Sequence, residues 1–491
     1  MTTRMFRVCM TLVMPLILVL AAQAADLPKS THDWPGYTGP DGTFADQSKV
    51  PILDDLSQAK LVWVSEHDDL GYGKTTSGGG HSYGKDYWRP SGSASLIVAN
   101  GLVIAGYFNA KNSVMADDII LAIDVATGKT RWKQVYTDKG INRGAGKHLP
   151  YGPTPVASQG KVFHLGTSGR LYCVDLDTGK PVWESDVGEE HKALQALKAK
   201  AIVKDDTKEG IYSRDMKKMV TPLMVIDGVL MVTVGNLHGF DTATGKKLWE
   251  IPSATAVLSV PCPAKLNGAM YALCSGSDGY MRLIRPKTGE VVWKEFLGAW
   301  FLPIVADGRA FVPRLQDPSK PKSKEQRPTL TAFALSETGA KMLWQSDFPM
   351  DGDSWNAYRD GVIYATAHVY QPAGGKVMAF QAEDGTLLGM YDDKEGDRGR
   401  VHLWGNRLVV VGDNHHESLA SSCYYWALTP GLKDLAKSGK PHYARKWGDY
   451  RGVCGYEVLI RDPFADGYQF TRAIDIKKGK GVIMCWDLRK Q

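Results

Sequence analysis

The residues able to bind something in this 491-residue chain lie in Gly-rich and polar segments rather than in apolar runs. Gly78 to Arg89 reads GGGHSYGKDYWR and carries His81, Tyr87, Trp88 and Arg89. Asn142 to Tyr151 carries Arg143, His148 and Tyr151. Trp300 stands alone. Asp351 to Asn356 reads DGDSWN and carries Asp351, Asp353, Trp355 and Asn356. Arg400, His402, Tyr450 and Arg451 follow. Aromatic faces beside cations and carboxylates suit a sugar, a peptide or a planar anionic ligand. These groups do not assemble into a nucleophile with its base, or into an acid with its base. Gly78-Gly79-Gly80 and Gly144-Ala-Gly146 lack the Gly-Lys-Ser/Thr ending of a phosphate loop. His415 and His416 are adjacent, so in a strand they point to opposite faces and do not form a metal pair. The expected site therefore has unknown catalytic residues and no metal.

Such scattered residues need a scaffold that brings many loops together, and the chain shows one. Leu121 to Trp132 reads LAIDVATGKTRW. The pattern returns at Leu171–Trp183, Leu237–Trp249, Met281–Trp293 and Thr331–Trp344, and in degraded form at Val377–Met390. Each copy is an alternating run, a tight turn and a second run ending in Trp. Asp124, Asp175 and Asp241 are placed to accept backbone N–H groups in the turn. Gly128, Gly179, Gly245 and Gly289 are placed for its positive φ. The Trp is expected to act as a wedge between neighbouring sheets. A second hairpin signal precedes each copy: Asn100-Gly101, Gln159-Gly160, Asp227-Gly228, Asn267-Gly268, Asp307-Gly308 and Asp360-Gly361, with Gly405-Asn406 reversed. Two hairpins make four strands, and a repeated four-stranded unit is a propeller blade.

These units resemble the PQQ-type (pyrroloquinoline-quinone-like) β-propeller repeat, whose mark is an apolar-Asp-x-x-Thr-Gly-Lys/Glu-x-x-Trp hairpin. The Trp34–Gly42 opening and the Cys485–Arg489 ending are similar to secreted members of that family. The expected fold is all-β, an eight-bladed propeller of four-stranded antiparallel blades, with seven blades as the alternative. Blades are expected near 91–133, 152–184, 219–250, 257–294, 301–345 and 356–390, with an irregular seventh from 401 and a last one from about 455. Lys60 to Glu66, with Trp63, is expected to supply the last blade's outer strand and close the ring. The candidate residues then fall in loops entering the first strand of each blade, around one mouth of the axial channel.

The resemblance implies fold more than activity. Family members include quinone-dependent alcohol dehydrogenases and the lipoprotein subunit of the outer-membrane protein assembly machinery. The expected function is that of an exported, non-catalytic propeller binding a glycan, peptide or protein at the channel mouth. One alternative is a dehydrogenase of alcohols or sugars using PQQ and Ca2+. The resemblance makes those cofactors possible without firmly implying them, since the chain lacks the family's adjacent cysteine pair. A second alternative is an envelope-assembly scaffold.

The net charge of +6, or +4 once Arg4 and Arg7 leave with a leader, gives no basic field for nucleic acid. Residues 1–24 read as a signal peptide: two arginines, the apolar run Val8–Leu20 and an Ala22-Gln23-Ala24 cleavage site. The alternative is an uncleaved membrane anchor. Residues 25–60 read as an extension and 61–491 as the propeller domain. Periplasmic or secreted localisation follows, with no stable membrane insertion after cleavage. Six cysteines would remain, and an oxidising compartment permits disulfides; Cys262 and Cys274 flank one hairpin and could face each other. Glu189 to Lys208 has helix-forming composition.

Overall fold

The computed structural model describes residues 33–490, apart from 68, 71, 76–86, 91–93, 112–113, 142–152, 189–191, 193–194, 197–198, 200–220, 253, 255–259, 299–301, 320–326, 351–355, 370–373, 394–399, 414–422, 429–436, 444–449, 453–461, 476 and 479. Almost all the regular secondary structure of the described residues is strand. Among the described residues seven four-stranded antiparallel sheets follow one another, each a simple meander from first to outer strand. Their first strands start at Ile97, Val156, Met224, Cys262, Ile304, Asn356 and Arg400. An eighth sheet is composite: Lys60–Val64 pairs antiparallel with Lys480–Asp487, which pairs with Tyr468–Asp475. Its first strand comes in two pieces, Tyr450–Gly452 and Phe464–Ala465. The sheets are numbered here as blades one to eight. The N-terminal strand thus completes a blade begun by the C-terminus, which leaves no open sheet edge at the junction. Among the described residues, no helix is long and apolar enough to cross a membrane. Lys192, Gln195, Ala196 and Ala199, in the inserted segment after blade two, are helical.

The turns form for the reasons their residues suggest. Asn100, Gln159, Asp227, Asn267, Asp307 and Asp360 all have φ between 48° and 52°, each followed by a glycine at positive φ. Those are the paired left-handed conformations of a two-residue hairpin. Asp466-Gly467 does the same in blade eight, at φ 50° and 87°. In the second turn Asp124 Oδ1 accepts from the N–H groups of Ala126 (3.1 Å) and Thr127 (3.0 Å) and from the Thr127 hydroxyl (2.9 Å). Asp175 and Asp241 repeat the arrangement.

Each outer-strand Trp reaches the next blade. The indole N–H of Trp63 donates to the carbonyl of Val125 (2.8 Å), that of Trp132 to Leu176 (2.9 Å), and that of Trp183 to Thr242 (3.1 Å). Trp249, Trp293 and Trp344 donate to Pro286, Ser336 and Ala382. In five of these junctions the ring lies on the turn glycine of the receiving blade. A Cβ on Gly179 would come within 2.5 Å of Trp132. The wedge is therefore a directed latch, blade to next blade, running from eight through one to six.

The cysteines are not arranged as the hairpin suggested. Register sets Cys262 opposite Leu273 and Cys274 opposite Arg282, because an offset of one residue moves facing partners apart. Cys173, Cys262, Cys274 and Cys485 are free and buried, and burial pushes the Cys173 and Cys262 thiols up to about 12.

Candidate interaction site at the propeller mouth

The first strand of each blade exposes an unpaired row of backbone groups toward the axis, and such groups need partners. At the hairpin end the segment 33–58 supplies them. Trp34 and Val98 of blade one exchange two hydrogen bonds of 2.9 Å. Pro35 O accepts from Ala157 of blade two (2.8 Å) and Thr43 O from Tyr358 of blade six (3.0 Å). Phe44 O accepts from Leu403 of blade seven, and Asp46 donates back to it (2.7 Å). Gly42 lies against Pro263 and Cys262 of blade four. Trp34, Tyr37, Phe44, Ile52 and Leu56 are buried beneath this strap. Burying each of these large apolar side chains contributes about 1.5–3 kcal/mol to holding the strap. It crosses the hairpin mouth and seats on blades one, two, four, six, seven and eight.

The opposite mouth is where the chain enters the first strands, and there the polar groups collect. Asp118, fully buried in blade one, accepts on Oδ1 from the Thr167 N–H (3.0 Å) and hydroxyl (2.9 Å), and on Oδ2 from Tyr172 OH (3.0 Å) of blade two. Thr167 Oγ1 in turn accepts from Ile141 N–H (2.8 Å). Tyr136 stacks on Tyr172 with centroids 3.8 Å apart. His164, buried in blade two, lies against Gly106 of blade one, whose carbonyl accepts from Arg472 of blade eight (3.1 Å). Burial and the Arg472 charge lower the His164 pKa to about 3, so the imidazole is neutral. Burial lowers Arg472 to about 10. On blade four the turn after the second strand carries Asp278, ion-paired with Arg282. Tyr280 there lies under Arg282 (5.5 Å) and Lys294 (4.8 Å). A cation over an aromatic face beside a carboxylate offers recognition of a polar chain or sugar.

The residues singled out in the sequence divide as follows. Asn356 opens the first strand of blade six, 3% exposed, with no partner for Oδ1 among the described residues. Tyr87, Trp88 and Arg89 lie in the connection that enters blade one, where they form a strand paired with Tyr72–Thr75, separate from the four-stranded sheets. Arg451 is likewise in a strand, opposite Ile474. His402 is not at the mouth. It lies within the first strand of blade seven, 1% exposed, with ring contacts to Trp34, Phe44 and Trp404, because strand alternation turns it toward the strap. His81, Arg143, His148, Tyr151, Trp300, Asp351, Asp353 and Trp355 lie outside the described residues.

The seam residues Asp118, His164, Tyr172 and Arg472 escaped sequence reasoning. Their one signal is Gly106, a glycine inside a strand, which marks close approach. A calcium-bound quinone needs several converging oxygen ligands. Among the described residues no group of three or more His, Cys, Asp or Glu converges.

Residues 116–299 match the family model described as outer membrane protein assembly factor BamB. The BamB of Yersinia pestis is 20% identical over 63% of this chain and 82% of its own length. The polyvinylalcohol dehydrogenase of a Sphingopyxis species is 24% identical over 38% of this chain and 39% of its own length. Among solved structures, a quinohemoprotein alcohol dehydrogenase from Pseudomonas putida superposes with a TM-score of 0.52 at 13% identity, over 93% of this chain and 80% of that one. The last likeness concerns fold alone.

Proposed function

We propose that this chain, a β-propeller of PQQ-like repeats, is an exported, non-catalytic platform that binds a protein partner of the cell envelope at its entry-loop mouth. The observation that carries this reading is the strap: with the hairpin mouth covered by residues 33–58, the other mouth is the end left for a partner. The likeness to the outer membrane protein assembly factor BamB supports a protein as that partner. The cation–aromatic–carboxylate group of Tyr280, Arg282, Lys294 and Asp278 supports recognition of a polar polypeptide surface there.

The test is site-specific photo-crosslinking in intact cells. A crosslinker at Arg89, Tyr280 or Trp300 is expected to capture one discrete protein, while one at Lys49 on the strap captures none. Capture only from Lys49 would overturn the choice of mouth. Titration of the purified protein with PQQ and Ca2+, followed by dye-linked oxidation of alcohols, is expected to show neither stoichiometric binding nor turnover; both together would overturn the non-catalytic reading.

A further inference from the structure

Among the described residues the Trp latches are not complete around the ring, and the gap coincides with the strap. In blades one to five the Trp stands opposite Ala122, Cys173, Gly239, Leu283 and Ala332 of the third strand. In blade six that register position, opposite Ala379, is held by Gly389. The outer strand of blade seven, Lys437–Tyr443, contains no tryptophan. Blade eight has no turn between its third and outer strands to receive one, because its outer strand comes from the N-terminus.

The strap fastens these same junctions. Arg359 of blade six donates to the carbonyls of Asp46 on the strap (2.5 Å) and of Leu403 (3.2 Å) and Gly405 (2.6 Å) of blade seven. Asp46 Oδ2 accepts from Gly405 N–H (3.1 Å). Asn406 donates its N–H to Val50 O, and its side chain accepts from Ile52 N–H (3.1 Å each). Asp54 then bridges two blades, pairing with Arg407 of blade seven and with Lys490, just past blade eight (3.0 Å). Leu53 donates to Leu488 O (2.8 Å) and Lys490 to Pro51 O (3.0 Å).

We propose that residues 43–58 are a surrogate latch for blades six to eight, and that this sector opens as a unit ahead of the five-blade remainder. The two kinds of fastening differ physically. A Trp latch joins an uncharged indole N–H to a backbone carbonyl, so salt leaves it largely unchanged. The Asp54 carboxylate and the Lys490 ammonium are 44% and 56% exposed, so salt screens their attraction. Sector opening is thus a salt-tuned conformational device, independent of what binds at the opposite mouth.

Hydrogen exchange resolved by peptide tests it. In unaltered protein, raising NaCl from 0.05 to 0.5 M is expected to speed exchange about tenfold at Leu408–Val410 and Phe470–Ala473. Val162–Leu165 and Leu230–Val232 should not change. Asp54→Asn is expected to give the same local acceleration at low salt and to weaken the salt response, the Lys49–Asp360 pair between strap and blade six (2.8 Å) accounting for what is left. Acceleration spread evenly over all blades, or none in the six-to-eight sector, would overturn the proposal. The salt series needs no variant, so a misfolded Asp54→Asn protein leaves it decisive.

Discussion

Trp132 shows how much one side chain carries in this repeat. It belongs to blade one, donates to Leu176 of blade two and covers Gly179, whose φ of 68° is itself a left-handed turn position. Trp132→Phe keeps most of the apolar contact and strands the Leu176 carbonyl, so a loss of about 1 kcal/mol in chemical denaturation is expected. Trp132→Ala empties the site and is expected to cost about 3–5 kcal/mol. Gly179→Ala is expected to be severe as well, since the added methyl meets the indole and the backbone is strained. An order Trp132→Phe above Trp132→Ala in stability is the measurable outcome; equal losses would refute the latch. The Asp-x-x-Thr-Gly and Trp positions were legible in the sequence because each acts through bonds to residues close in the chain or at a fixed repeat offset. Asp118 was not legible, since its partners Thr167 and Tyr172 lie a full blade away.

At the scale of elements, the blade-one to blade-two seam has a pH signature. His164 is neutral when folded, with its pKa lowered to about 3 by burial and then by Arg472. The unfolded chain binds a proton near pH 6.5, so it holds more protons than the native state between about pH 6.5 and pH 3. Stability from this group is present above pH 6.5 and falls on acidification by up to about 1.4 kcal/mol per pH unit. A His164→Gln variant is expected to show a flatter decline in urea midpoint over that range; an unchanged slope would deny His164 the role. Elements also explain which candidate residues moved. Tyr87, Trp88 and Arg89 looked like loop because a short polar strand has no apolar alternation. Pairing with Tyr72–Thr75, which the local sequence does not announce, makes it a hairpin.

At the scale of the whole molecule, ring closure joins the ends. Strand Lys60–Val64 completes blade eight, and the strap before it touches six blades, so the ring cannot close until the last residues are available. Deleting residues 33–58 is expected to leave strand content by circular dichroism while abolishing the cooperative thermal transition. A retained transition would show that the strap is an accessory. The sequence by itself determined the all-β repeat, its turn chemistry, its latches and its closing strand, because periodicity, turn residues and a fixed Trp offset are local and recur. Only the tertiary structure decided which mouth the strap covers, that His402 faces it, that Asp118 meets Thr167 and Tyr172, and that His164 and Arg472 both lie against Gly106. Those depend on groups far apart in the chain that come together through the closure of a ring, and no local pattern encodes such a distance.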